Sequence, residues 1–123
     1  MTSPIITIST NQGKREVPAE DILRMESARV YTVFYERNGL QHVVSKNLGL
    51  VLQQLNDHSQ LKRMFFRVHR QHVINLKEVK IFRNSRNANV TLSDQTVVNV
   101  AQRRRTELAR ILGKLNKRSL VRF

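Results

Sequence analysis

Phe65 to Leu76, read as FFRVHRQHVINL, threads charged and proton-binding side chains through an apolar run. Phe66, Val68, Val73, Ile74 and Leu76 are expected to anchor the segment in a core, so Arg67, His69, Arg70, Gln71 and His72 compete for the surface between them. Burying a guanidinium without a partner is costly. Arg70 and its polar neighbours are therefore expected on a short exposed turn held rigid by apolar flanks, as in a recognition loop. From this segment alone a surface turn whose charges merely solvate it remains the alternative.

Outward from this motif, period-two alternation dominates the first half: Ile6-Thr7-Ile8, then Tyr31 to Tyr35, then Leu40 to Val44. Asn38-Gly39 between two such runs is a strong hairpin signal. Asn11-Gln12-Gly13 suggests a turn between strands at Ile5 to Ser9 and Lys14 to Val17, with Pro18 ending the second. One helix precedes the motif, capped by Ser45 or Asn47, with Leu48, Val51, Leu52 and Leu55 on one stripe. Beyond it, Val79 to Phe82, Asn89 to Leu92 and Thr96 to Val100 read as strands, with turns at Asn84 to Asn87 and Ser93 to Gln95. Ala101 to Leu115 reads as a basic amphipathic helix, with Leu108, Ile111, Leu112 and Leu115 beneath Arg103, Arg104, Arg105, Arg110 and Lys114. The expectation is an all-β domain of mainly antiparallel strands and hairpins, with one or two short helices and a basic C-terminal helix. Residues 1–115 form the domain and 116–123 a basic tail with Lys117, Arg118 and Arg122.

Composition bounds the function independently. A chain of 123 residues is expected to make one domain. Lys and Arg total 22 against 9 for Asp and Glu, a formal net charge of +13, so a polyanion is the expected partner. Nucleic acid, an anionic membrane surface and an acidic protein all satisfy that inference. No window is apolar enough to span a bilayer and the N-terminus lacks a signal-peptide pattern, which points to a soluble, cytoplasmic protein. Without cysteine, His42, His58, His69 and His72 remain as the strong neutral metal ligands.

The central segment also resembles the LytTR DNA-binding domain of bacterial transcription regulators, whose motif runs close to F-x-R-V-H-R-S-aromatic-hydrophobic-V-N. Phe65, Arg67, Val68, His69, Arg70 and Asn75 occupy matching positions, while Gln71 stands for the usual Ser and His72 for an aromatic or aliphatic residue. The resemblance extends from about Ile6 to about Leu112. Asp21 to Glu26 is similar to the family's D-I-hydrophobic-x-hydrophobic-E strand, and Asn89 to Arg103 to its strand, turn, strand and closing basic segment. It implies base contacts from three loops, here Ala28-Arg29-Val30-Tyr31, His69-Arg70-Gln71 and Gln102-Arg103-Arg104. The DNA-binding residues it nominates are Arg29, Tyr31, His69, Arg70, Gln71, Gln102, Arg103 and Arg104. Ala101 and Gln102 replace the Ser-Arg that many members carry, so one family contact is expected to be missing.

Side-chain geometry adds to this. Arginine's rigid fork of donors matches guanine O6 and N7, whereas Lys and backbone amides mainly bind phosphate. Arg70 and Arg103 are the leading base readers, and Lys46, Lys62, Arg63 and Lys77 look like phosphate neutralisers or ordinary surface charges. An enzyme reading would use His69 and His72 at i and i+3, or His69 with Asp57 or Glu78 as an acid–base pair. No carboxylate cluster with ligand spacing, HExxH or GxSxG supports it. The expectation is therefore a sequence-specific regulator of double-stranded DNA, without catalysis, metal or cofactor. It would be a monomer when free and load two copies on promoter direct repeats, with input from an upstream receiver domain or a membrane regulator. A basic RNA-binding or ribosome-associated module is the alternative, but surface aromatics for base stacking are few.

Overall fold

The apolar alternation of the first half closes into antiparallel hairpins. In the computed structural model, which describes residues 4–115 and 121–122, β1 (Ile5–Thr10) pairs with β2 (Gly13–Pro18). Next, β3 (Ile22–Ala28), β4 (Tyr31–Glu36) and β5 (Gln41–Val44) form a meander. The central motif becomes the hairpin β6 (Phe65–His69) and β7 (His72–Asn75), which joins the meander through β7 on β3. The resulting five-stranded sheet has the order β5-β4-β3-β7-β6.

A second sheet follows, built from β8 (Val79–Arg83), β9 (Asn89–Leu92) and β10 (Val97–Asn99), all antiparallel. β11 (Val121–Arg122) pairs in parallel with β8. It falls within the expected tail, of which residues 116–120 and 123 lie outside the described residues.

The Asn38-Gly39 hairpin uses a three-residue loop: Glu36 N–H donates to Leu40 O and Gly39 N–H to Glu36 O. Gly39 takes φ +92°, a left-handed conformation that suits glycine after a tight turn. In the β9–β10 hairpin Gln95 occupies the equivalent place at φ +75°.

Helix α1 (Leu48–Asn56) is capped by Asn47, whose side-chain oxygen accepts from Leu50 N–H at 2.9 Å. Helix α2 (Arg105–Leu115) begins later than its sequence pattern suggests, because Ala101 is extended and Gln102–Arg104 form a 3-10 turn. Ala101 is held extended from outside, donating its N–H to Val68 O at 2.8 Å. Leu108 and Leu112 are buried as expected, whereas Leu115 is 54% exposed and lies outside the stripe.

Two hydrophobic cores form, and the β6–β7 hairpin is the wall between them. Phe65 and Val73 enter the first, with Ile8, Val17, Met25, Phe34 and Val51. Val68 and Ile74 enter the second, with Phe82, Val90, Leu92, Leu108 and Leu112. Both faces of the hairpin are covered: Phe65 is buried in the first core, and Phe66, expected as a core anchor, is half-buried against the second. Asn75 closes the hairpin's base, donating to Ile22 O at 2.9 Å and accepting from Lys77 N–H at 3.1 Å.

Candidate nucleic-acid interface

Two backbone hydrogen bonds gather the three nominated loops at one end of the five-stranded sheet. Ser27 N–H donates to Gln71 O at 2.9 Å, tying the end of β3 to the β6–β7 turn. Ala101 N–H donates to Val68 O, tying the 3-10 turn to the other side of the same hairpin. The second bond is possible because β6 bulges between Arg67 and His69, so that Arg67 faces Val73 and His69 faces His72. The extra residue, Val68, buries its side chain in the second core and presents its carbonyl outside the normal ladder.

Each turn has its own internal bracing. Arg67 donates from its guanidinium to Arg70 O, and Gln71 N–H donates to His69 Nδ1 at 3.2 Å. With Nδ1 accepting, neutral His69 carries its proton on Nε2. Arg70 and Gln71 stand exposed at the tip, whereas His69 and His72 are half-buried, their rings 5.6 Å apart. At the neighbouring β3–β4 turn, Ala28 pairs with Tyr31 around Arg29 and Val30. Arg29 takes φ +60°, a position in two-residue hairpins that favours glycine. Val30 is 67% and Tyr31 44% exposed.

Arg29→Gly is expected to raise stability by up to ~1 kcal/mol by relieving this conformation, while weakening duplex DNA binding. Urea unfolding and a DNA titration on the same variant check both halves. A destabilised variant with unchanged binding would show that Arg29 serves the fold.

The nominated residues differ in how free they are. Among the described residues, the side chains of Arg29, Arg70 and Arg103 make no hydrogen bond or ion pair and remain available to a ligand. Arg104 is half-buried, 3.9 Å from Glu107. Gln102 has its amide engaged on both sides, donating to Arg86 O and accepting from Arg105 at 2.8 Å. Arg105 also donates to Asn84 Oδ1 at 2.7 Å. Gln102 is thus fitted to brace the 3-10 turn against the β8–β9 loop. Those contacts bring Arg86 beside the interface, an addition the sequence pattern missed. Its sign was the Arg83-Asn84-Ser85-Arg86-Asn87 run, which reads as an ordinary polar turn.

Behind the tips lies a partly buried polar cluster. Arg24 stacks 3.7 Å from the centre of the Tyr35 ring, and Glu26 receives contacts at 3.4 Å from Arg24 and from the Tyr35 hydroxyl. His72 Nδ1 stands 3.5 Å from Glu26 Oε1 without an aligned hydrogen bond. Burial pushes the His72 imidazole below its ordinary value, against the opposing pull of Glu26, with His69 and Arg24 reinforcing the shift. Arg67 is pushed down by burial and then by the like charge of Arg104, and its Nε is buried without an acceptor. A guanidinium remains charged under such conditions. An incoming anion beside Arg67 and Arg104 would relieve their repulsion. Arg67 therefore joins the candidate site, together with Lys46, which follows β5 at this same end.

Carboxylates are concentrated at the opposite end. Glu36 takes both oxygens to Arg15, at 2.9 and 3.2 Å, and also contacts His42. The Arg15 hydrogen bonds hold Glu36 below the usual carboxylate range despite burial. Arg37 spans Asp21 at 3.6 Å and Glu78 at 2.9 Å, and Ser93 donates to Glu78 at 2.6 Å. Glu78 is therefore committed to the fold instead of forming an acid–base pair with His69. Among the described residues no three His, Asp or Glu side chains are grouped to hold a metal ion, and no helix is long and apolar enough to cross a membrane.

Comparison with known proteins agrees with the arrangement of strands and loops. No curated protein matches the chain. Among solved structures, it is similar to the LytTr DNA-binding domain of a Bacillus cereus protein described as a methyl-accepting/DNA response regulator. That likeness has a TM-score of 0.72 at 20% sequence identity, covering 89% of this chain and 96% of the other. At that identity the likeness establishes the fold. The sequence itself matches the LytTr DNA-binding domain family over residues 12–113, and the chain belongs to that family.

Proposed function

We propose that this domain binds double-stranded DNA sequence-specifically to regulate transcription, reading bases in the major groove from the loops gathered around the β6–β7 turn. The observation that carries the proposal is the convergence of unpaired Arg29, Arg70 and Arg103 on one end of the sheet, with the hairpin bonded on one side to Ser27 and on the other to Ala101. Arg70 and Arg103 are the proposed base readers. Arg29, Tyr31, His69, Gln71 and Arg104 complete the surface, Gln102 positions it, and Lys46, Arg67 and Arg86 neutralise phosphate. The chemistry requires no cofactor. In this reading the chain forms the DNA-binding unit 1–115, with 116–123 as a basic tail, and receives its signal from a receiver domain or a membrane regulator.

Arg70→Ala and Arg103→Ala should each cost about 1–3 kcal/mol on the cognate site and much less on random DNA, since a bidentate contact to guanine is lost. Lys46→Ala should weaken both similarly. Titrations of labelled cognate and random duplexes make the comparison; equal losses on both DNAs would demote Arg70 to a phosphate contact. Preference for single-stranded RNA over every duplex would instead support an RNA-binding module.

On DNA, two copies are proposed to occupy direct repeats on one face of the duplex. Moving one half-site by about half a helical turn should abolish double occupancy in gel shifts. Light scattering should give a monomer for the free protein. A stable free dimer preferring inverted repeats would refute this arrangement while leaving the DNA-binding proposal standing.

A further inference from the structure

Away from the nucleic-acid interface, α2 and the α1–β6 connection enclose a cleft of about 600 Å³. This lies within the size range of small-molecule sites. Its floor is apolar, formed by Phe65, Phe66 and Leu76, with Ile111 of α2 on the wall. Phe66 and Ile111 are half-buried, leaving apolar surface open to the cleft. Lys62 and Arg63 stand on one bank, Arg110 and Lys114 on the other. Glu107 also lines it, lying 3.9 Å from Arg104 and 4.0 Å from Arg110. Among the described residues, the side chains of Lys62, Arg63 and Lys114 have neither hydrogen-bond nor ion-pair partners.

An apolar floor between banks of unpaired cations complements an apolar body with an anionic head. We propose that this cleft binds a free anionic amphiphile, an aliphatic or aromatic carboxylate or sulfonate. Its body rests on Phe66 and Ile111, and its head is held by Lys62 and Lys114. A second copy of this chain is an unsuitable occupant, because a formal net charge of +13 sets cations against cations. A concave cleft of this volume suits a single molecule better than the flat face of a bilayer. The assignment is independent of DNA recognition, since Lys62 and Arg63 precede β6 at the end of the hairpin opposite the Arg70 turn.

The test uses the whole folded chain and the anionic fluorophore anilinonaphthalene sulfonate. Saturable one-to-one binding is expected, with dodecanoate below its micelle concentration displacing the dye and duplex DNA leaving it bound. The double variant Lys62→Glu/Lys114→Glu should weaken dye binding at least about tenfold, as expected for removing a charge-assisted contact. The charge-matched control Lys14→Glu/Lys80→Glu should change it less than about twofold, because both positions are exposed and outside the cleft. Unchanged thermal unfolding of the first variant verifies that its fold is intact; if it unfolds early, Lys114→Gln replaces it. Non-saturable binding, equal losses in both double variants, or displacement by duplex DNA would overturn the proposal. Binding of anionic vesicles or an acidic amphipathic peptide, with none of monomeric dodecanoate, would overturn it in favour of another occupant.

Discussion

Raising salt from 50 to 200 mM is expected to weaken duplex binding by about 10³, the loss that follows from roughly six phosphate contacts, each contributing about 0.9 to the log–log slope. Candidate phosphate contacts include Lys46, Arg67, Arg86 and Arg104, with the exposed Arg29 at the tip of the β3–β4 turn. Glu26 and Glu107 are the opposing carboxylates on nearby elements, while Glu36 and Glu78 are tied up at the far end. Net positive charge therefore faces the ligand even though the chain contains ion pairs. Fluorescence anisotropy at several salt concentrations gives the slope directly. A nearly flat dependence would remove phosphate contact as the main source of affinity.

Leu108→Ala should cost about 2–5 kcal/mol, through lost burial and the cavity it leaves. Leu108 is fully buried in the second core, where α2 packs against the β8–β10 sheet. That loss is a large part of the roughly 5–15 kcal/mol that stabilises an ordinary domain. Leu115→Ala, at an exposed position on the same helix, should stay within about 0.5 kcal/mol. Urea unfolding of both variants measures the contrast. Amide exchange should also show Ala101 losing protection in Leu108→Ala, because α2 anchors the segment that bonds Val68. Equal effects at positions 108 and 115 would contradict the packing of α2.

The strands were legible wherever one face was apolar: Tyr31 to Tyr35 alternates, Asn38-Gly39 marks a return, and Leu48, Val51 and Leu55 repeat at helical spacing. Local pattern is a poorer guide where tertiary structure overrides it. Phe65 and Phe66 could not be ranked by alternation because the hairpin has a core on each side. The helical pattern starts at Ala101, ahead of the true helix, because it does not reveal that a carbonyl from Val68 captures the Ala101 N–H. Among the candidate site residues, Arg70 and Arg103 are proposed from guanidinium chemistry and Arg29 from the family resemblance, and the structure leaves all three exposed. Arg86 is not legible in either way, since it reaches the interface through Gln102, and Gln102's bracing role depends on Arg105 and on a loop far away in sequence.

The segregation of charge gives this small domain an electrical polarity. The unpaired Arg29, Arg70 and Arg103 lie at one pole, and at the other Asp21, Glu36 and Glu78 are balanced by Arg15 and Arg37. In the field of a polyanion, such a molecule experiences a torque before it makes contact. The loop end turns toward the duplex and the carboxylate end turns away, so a larger share of diffusional encounters begins in a productive orientation. The far-end ion pairs thus serve arrival as well as folding: they keep these carboxylates neutralised and away from the loops, so that the loop end is the more positive one and its grip is not opposed by them.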